Sequence, residues 1–246
     1  MSKIGIIGGS GLTQLKQLTI TRREVVNTSF GEASGAFTHG ILHGKEVVFL
    51  ARHGNSHHIL PHEINYRANL AALQSLGVDR VIAFNAVGGI TPAMAPASIA
   101  IPHQIIDYTY GREHTFFGQQ SGQVVHVDFT SPYSEPLREA FFSAAEAINV
   151  TVAKKAIYGA TQGPRLETAA EVERLERDGC DIVGMTGMPE AALARELDMS
   201  YVSCCIVANW AAGKSAEVIT MEDINANLTT AMATAGALLD ATISQL

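Results

Sequence analysis

The run Tyr201–Val207, Tyr-Val-Ser-Cys-Cys-Ile-Val, is apolar, β-branched and cysteine-rich along its length. A strand with one wet face would alternate apolar and polar residues; this one does not, so it belongs near the centre of a sheet covered on both sides. Comparable runs recur at Ile4–Ile7, Val47–Ala51, Val81–Phe84, Val150–Tyr158 and Asp181–Val183, with shorter candidates at Ser98–Ile101 and Gln104–Ile106 around Pro102. Segments of helical spacing lie between them. His62–Leu76 turns Ile64, Leu70, Leu73 and Leu76 inward and stops at Gly77, and Glu135–Ile148 is amphipathic. Thr168 and Glu171 make a capping box for a helix to Arg177, Pro189 opens a helix to Leu197, and Thr220–Asp223 caps a long C-terminal helix. Strands alternating with helices predict an α/β fold.

With 246 residues, 47% hydrophobic and 17% charged, the chain can fill one substantial core, and nothing resembles a linker, so one domain is expected. A net charge of −7 argues against a nucleic-acid partner, which would need a basic face, but leaves room for a local cluster around one small phosphate. Cys180, Cys204 and Cys205 cannot all pair and match no zinc spacing; they read as reduced thiols of a cytoplasmic protein. No secretory leader pattern opens the chain and no apolar run is long enough to span a bilayer, so neither secretion nor membrane insertion is expected.

The strand ends carry the polar chemistry. Gly8-Gly9-Ser10-Gly11 can wrap an anion in backbone N–H groups; a dinucleotide fingerprint is disfavoured because its third glycine position holds Gln14. Arg52-His53-Gly54 supports three readings: a metal site drawing on His53, His57, His58 and His62, a histidine-phosphatase-like triplet with His53 as nucleophile, or an oxyanion clamp. The clamp, with a fork of donors from Arg52 and a further donor from His53 or His57, needs no partner that the chain lacks. Asn85 precedes Gly88-Gly89, and Asn209 follows the strand that opened this section. In Asp181–Arg195 a strand end feeds the helix start at Pro189, where free backbone N–H groups and the Thr186 hydroxyl, flanked by Met185 and Met188, can meet a ligand; Thr186 could equally be an ordinary helix cap. Ser10, Arg52, Asn85, Thr186 and Asn209 all read as lying just beyond strand ends, which predicts one shared cleft. Residues 111–133 form a long loop carrying His114, Phe116, Phe117 and His126, of a length that is functional or packed on a partner.

Gly8–Gly11, Ala51–Gly54, Asn65-Tyr66-Arg67-Ala68-Asn69, Gly163–Thr168 and Gly184–Ala191 resemble the trimeric purine nucleoside phosphorylase and methylthioadenosine phosphorylase family, over Ile4 to about Leu239. That resemblance implies a single-domain three-layer α/β/α fold with a central mixed sheet, a homotrimer, and phosphorolysis without a cofactor, inorganic phosphate being a co-substrate that attacks C1′ as the purine leaves. It places phosphate at Ser10, Arg52, His53, Asn85, Ala86 and Thr186, with His57 a further candidate. Met185 would lie against the ribose; Leu166, Glu167, Asn209, Trp210 and Ala211 would surround the purine; His126 would reach a neighbouring subunit's site. Asn209 and Glu167 would carry the chemistry at the base.

Base preference follows from donor and acceptor types. Adenosine-type members of the family have an aspartate where this chain has Asn209 and a second where it has Ala211. An amide offers a donor for a 6-oxo oxygen and an acceptor for protonated N7, and Glu167 can accept the N1–H of a 6-oxopurine. A hypoxanthine-type base is therefore expected. Where nucleoside-preferring relatives place a histidine against the 5′-hydroxyl, this chain has Met221 with Val218, Ile219 and Ile224, suited to a 5′-methylthio group unless these are simply core residues of the helix. The alternatives are an inosine, guanosine or methylthioadenosine phosphorylase, and a nucleotide-binding regulatory protein without turnover.

Overall fold

The computed structural model describes residues 3–8, 18–118, 122, 124–216 and 219–246, except the side chains of residues 221, 223 and 225. In chain order the elements are β1 (Lys3–Gly8), β2 (Thr19–Glu24), β3 (Asn27–Thr28), β4 (Gly31–Glu32), β5 (Phe37–Leu42), β6 (Lys45–Ala51), α1 (Tyr66–Ser75), β7 (Val78–Gly89), β8 (Ile99–Ala100), β9 (Gln104–Asp107), α2 (Glu135–Ala147), β10 (Ile157–Ala160), α3 (Ala169–Arg177), β11 (Ile182–Gly184), α4 (Gly187–Glu196), β12 (Ser200–Trp210) and α5 (Met221–Gln245).

A 10-stranded mixed sheet forms the middle layer, in the order β2-β5-β6-β1-β7-β11-β10-β9, with β12 pairing β7 and β8. On one face Tyr66, Leu70 and Leu73 of α1 and Leu193 and Ala194 of α4 pack with Val81, Val87 and Val207 of the sheet. On the other, Leu137 and Phe141 of α2 and Leu238, Leu239 and Ile243 of α5 cover Ile6, Phe49, Ile82 and Val202. The central strands therefore need apolar residues on both sides, as the composition of β12 foretells. The α/β/α sandwich expected from the sequence is the fold observed.

Local chemistry sets the helix starts. Thr168 and Glu171 form the full capping box, and the Asn65 side chain accepts from the Ala68 N–H at 3.0 Å. That cap starts α1 at Tyr66, so the segment from His62 to Asn65 is not helical. Three strand expectations also need correction. Residues 150–156 form no strand: Ala153 makes an isolated bridge to Ala100, the Ala156 carbonyl accepts from the His103 N–H, and a regular strand begins only at Ile157, after the solvent-facing Lys154-Lys155 pair. β7 does not stop at Phe84, and β12 does not stop at Val207, because the two strands hydrogen-bond to each other as far as Gly89 and Trp210. β2 and β5, an antiparallel extension at one sheet edge, answer to no apolar run read from the sequence.

The long strand β7 organises the site. One of its edges is taken by β12 from Arg80 to Gly89, whereas the other pairs β1 in parallel as far as Ala83 and β11 antiparallel at Gly88 and Gly89. The ends of β1 and β11 approach the middle of β7 from opposite directions, and among the described residues the edge from Phe84 to Val87 has no strand neighbour. Such a reversal of strand direction is where α/β sheets open crevices. The turn after β7 is tight: a Cβ added at Gly89 would lie 1.8 Å from the Met94 carbonyl oxygen. Gly89→Ala is therefore expected to destabilise the fold by at least about 2 kcal/mol, read as a lowered midpoint in urea with an unchanged slope.

Candidate functional site

The crevice is a cleft of about 650 Å³. Arg52, His53, His57, Phe84, Asn85, Ala86, Val87, Met185 and Thr186 line it around the gap in β7; Leu166, Glu167, Asn209 and Ala211 stand at a second part of the wall; Ile219, Ile224, Leu228 and Met232 bring the start of α5 to a third. Most residues singled out from the sequence thus come together. Trp210 and His126 are not among the lining residues, and His126 is exposed. Ser10 and the Met221 side chain lie outside the described residues. Phe84, Leu228 and Met232 were not anticipated; Phe84 closes the apolar run expected for this strand, and the other two repeat Ile224 at helical spacing along α5.

Arg52 does not turn its fork to the cleft. The Nε and Nη2 groups donate to the two Glu190 carboxylate oxygens, each at 2.7 Å, and Nη1 donates to the Phe84 carbonyl at 3.1 Å. Arg52 is 2% exposed and Glu190 0%. Burial works against the charged guanidinium, but the Glu190 carboxylate outweighs it and holds the Arg52 pKa above its ordinary value. The Tyr201 hydroxyl donates to the same carboxylate at 2.8 Å. Of five guanidinium N–H groups, two remain without a partner among the described residues. The clamp expected from sequence is therefore an orienting pair with a remaining donor edge.

His53 places Nδ1 2.9 Å from the Ile59 carbonyl, an acceptor only, so Nδ1 carries the hydrogen. Burial, foremost, pushes its pKa down to about 4. The ring is neutral at physiological pH and Nε2 is a lone-pair acceptor, not the donor expected. The His57 ring lies 4.5 Å from it between centroids. Among the described residues no group of three or more His, Cys, Asp or Glu is arranged to hold a metal ion.

Asn85 and Asn209 sit within long strands rather than beyond their ends. Asn85 Nδ2 donates to Thr186 Oγ1 at 2.7 Å. Thr186 occupies the N-cap position of α4 but makes no side-chain cap bond, so its hydroxyl serves the cleft side. Nor are the backbone N–H groups there free: Thr186 and Gly187 donate to the Tyr158 hydroxyl at 3.4 and 3.3 Å. In β12 the register shifts between Val207 and Asn209, leaving Ala208 as an extra residue that re-aims the amide toward the cleft. Asn209 Nδ2 donates to the Trp210 carbonyl at 2.7 Å, which fixes the amide while leaving its oxygen and second N–H for a ligand. Glu167 accepts from the Thr161 hydroxyl through Oε1 at 2.5 Å, so Oε2 remains an acceptor.

The loops bearing these groups are tied together by Arg112, which lies in the long loop. Its guanidinium donates to the carbonyls of Met185, Met188, Thr161 and Gln162 at 2.6 to 3.2 Å. Sequence reading missed this residue, since a lone arginine in a loop gives no signal of its carbonyl partners.

The phosphorylase superfamily model matches residues 3–244. The chain is 51% identical over 244 residues to a probable S-methyl-5′-thioinosine phosphorylase of Pseudomonas syringae pv. tomato, covering 99% of each chain. It is 45% identical over 229 residues to a 6-oxopurine nucleoside phosphorylase of Pyrococcus furiosus, covering 91% of this chain and 85% of that one. The methylthioadenosine phosphorylase of Schistosoma mansoni in complex with tubercidin superposes with a TM-score of 0.93 at 30% identity, over 100% of this chain and 92% of the other.

Removing one partner of a buried ion pair strands the other charge, so Glu190→Ala is expected to cost about 3–5 kcal/mol of stability, measured by chemical denaturation. His53 gives an acid-side effect. Between its folded pKa of about 4 and the ordinary 6.5, the unfolded chain binds a proton that the folded chain does not, so stability falls as pH drops through that window. His53→Asn should flatten that part of the loss, seen in urea midpoints at about pH 7, 5.5 and 4.5.

Proposed function

Because the chain belongs to the phosphorylase superfamily, we propose that it cleaves S-methyl-5′-thioinosine with inorganic phosphate, giving hypoxanthine and 5-methylthioribose 1-phosphate. The observation that carries this reading is the bulge-aimed amide of Asn209 at one end of a cleft whose other end gathers Asn85, Thr186, His53 and the remaining donor edge of Arg52.

Phosphate binds at the gap in β7. Thr186 and the two spare N–H groups of Arg52 donate to its oxygens, and neutral His53 accepts through Nε2 from the P–OH of monohydrogen phosphate. Ser10 and the Ala86 backbone belong to the same reading, and His57 stands beside it. Fixed donors hold the anion under the sugar, where its charge stabilises the oxocarbenium-like transition state as the bond from C1′ to the purine breaks. On the leaving side, Asn209 accepts the N7–H and donates to O6, and the free Oε2 of Glu167 accepts N1–H. Met185 covers the ribose, and Leu166 and Ala211 complete the base wall.

Ile219, Ile224, Leu228 and Met232 receive the 5′ substituent. Burying a methylthio group against them contributes about 1–3 kcal/mol, whereas none of these four side chains is a good hydrogen-bond partner for a hydroxyl. The 6-oxopurine preference agrees with the activity named for the Pyrococcus furiosus relative.

The reading includes a cytoplasmic enzyme without a cofactor, working as a homotrimer in purine salvage. What supports the subunit contact is an exposed Val124-Val125-His126-Val127 stretch suited to a neighbouring subunit. A phosphatase would instead form a phosphohistidine at His53, and a regulatory nucleotide binder would release no base.

With phosphate present, kcat/KM is expected to rank S-methyl-5′-thioinosine above inosine and both above S-methyl-5′-thioadenosine. Asn209→Asp should lower 6-oxopurine turnover about 10²-fold and raise the relative rate on aminopurines. Base release that does not depend on phosphate, or best turnover of the aminopurine, would overturn the assignment.

A further inference from the structure

Asn85 is held from both sides. Ser203 Oγ lies 2.7 Å from Asn85 Oδ1, and Asn85 Nδ2 lies 2.7 Å from Thr186 Oγ1. Behind Ser203, Cys205 Sγ stands 3.2 Å from the serine oxygen. All four residues are buried. The strand register explains the arrangement: Cys205 is the direct partner of Asn85 across β7 and β12, and Ser203 lies two residues back on the same face.

The direction of each hydrogen in this chain matters at its end. Burial, the largest effect, pushes the Cys205 thiol up to about 12, so it keeps its proton and can give it to Ser203 Oγ. Ser203 then gives its own hydrogen to Asn85 Oδ1, which leaves Nδ2 facing Thr186. Thr186 Oγ1 accepts from that N–H, so its hydroxyl hydrogen is left for the cleft. With the amide reversed, Thr186 would spend its hydrogen on Asn85 Oδ1 and present only lone pairs, which repel an anion.

We infer that Ser203 is a positioning residue for phosphate: by fixing which way the Asn85 amide faces, it makes the Thr186 hydroxyl a donor into the cleft. This rests on the phosphorolysis reading and adds to it a residue of the sheet interior that no loop motif contains. Asn85 and Thr186 would meet the anion, whereas Ser203 acts only through them.

The test uses the full chain and inorganic phosphate. Phosphate KM at saturating nucleoside, and phosphate Kd by calorimetry, are measured for wild type, Ser203→Ala, Thr186→Val and the double variant. Loss of one hydrogen bond to a charged ligand should raise both constants about five- to tenfold in each single variant, with nucleoside KM moving less than about twofold. Because the serine acts through the threonine, the double variant should be no weaker than Thr186→Val alone. Ser203→Thr, which keeps the hydroxyl, should restore phosphate affinity. Wild-type affinity in Ser203→Ala beside a weakened Thr186→Val would overturn the positioning role alone, as would an equal loss from Ser203→Ala in both backgrounds. An unaltered Thr186→Val would overturn the phosphate reading of this end of the cleft. Should Ser203→Ala not fold, Ser203→Cys, with its weaker donor, carries the same comparison, and wild-type phosphate constants in that variant would count against the role.

Discussion

The buried pair of Arg52 and Glu190 holds the site side of this molecule together. It joins the end of β6 to the first regular turn of α4, and through the Phe84 carbonyl and the Tyr201 hydroxyl it reaches β7 and β12 as well. Taking two charges out of water is costly, and the cost is met here by a two-point contact with further hydrogen bonds at the margins. A hydrophobic substitute of similar size could pack as well, but would leave no cationic edge for an anion. On the phosphorolysis reading, stability and chemistry draw on the same guanidinium.

Around that pair the sheet is left incomplete. β1 and β11 share one edge of β7 without meeting, and the part of the strand between them supplies both the backbone and the Asn85 side chain to the cleft. Direct hydrogen bonds then set the orientation of each polar group: Ser203 to Asn85, Asn85 to Thr186, the Ile59 carbonyl to His53, and the Trp210 carbonyl to Asn209. Each of these groups is held in one direction by a partner within the fold, which is the condition that electrostatic preorganisation sets.

Much of this was legible in the chain itself. Apolar runs such as Tyr201–Val207 and the Thr168 capping box are local signals, and both survive folding. Of the polar residues near apolar runs, Arg52, Asn85, Thr186 and Asn209 line one cleft, while Ser10 lies outside the described residues. What escaped was non-local. Nothing around Asn85 or Asn209 tells where a strand stops, because β7 and β12 extend each other by mutual pairing. Arg52 followed by His53 looks like an anion clamp until Glu190, distant in sequence, claims the fork. The hydrogen position on His53 depends on a carbonyl supplied by a turn of its own loop, and four of the acceptors that Arg112 meets are backbone carbonyls, which no residue pattern names.

α5 combines two environments along a single axis. Its later turns, with Ala235, Leu238, Leu239 and Ile243, are sealed into the core, while Ile224, Leu228 and Met232 nearer its start border the cleft. Core and cleft wall are therefore joined within a few turns of the same rod. Leu228 and Met232 also pack against the cluster that holds Ala235 and Leu238, so on the phosphorolysis reading a change of side chain at the cleft wall is felt in the core behind it, and what the cleft accepts is tied to how firmly the helix is seated.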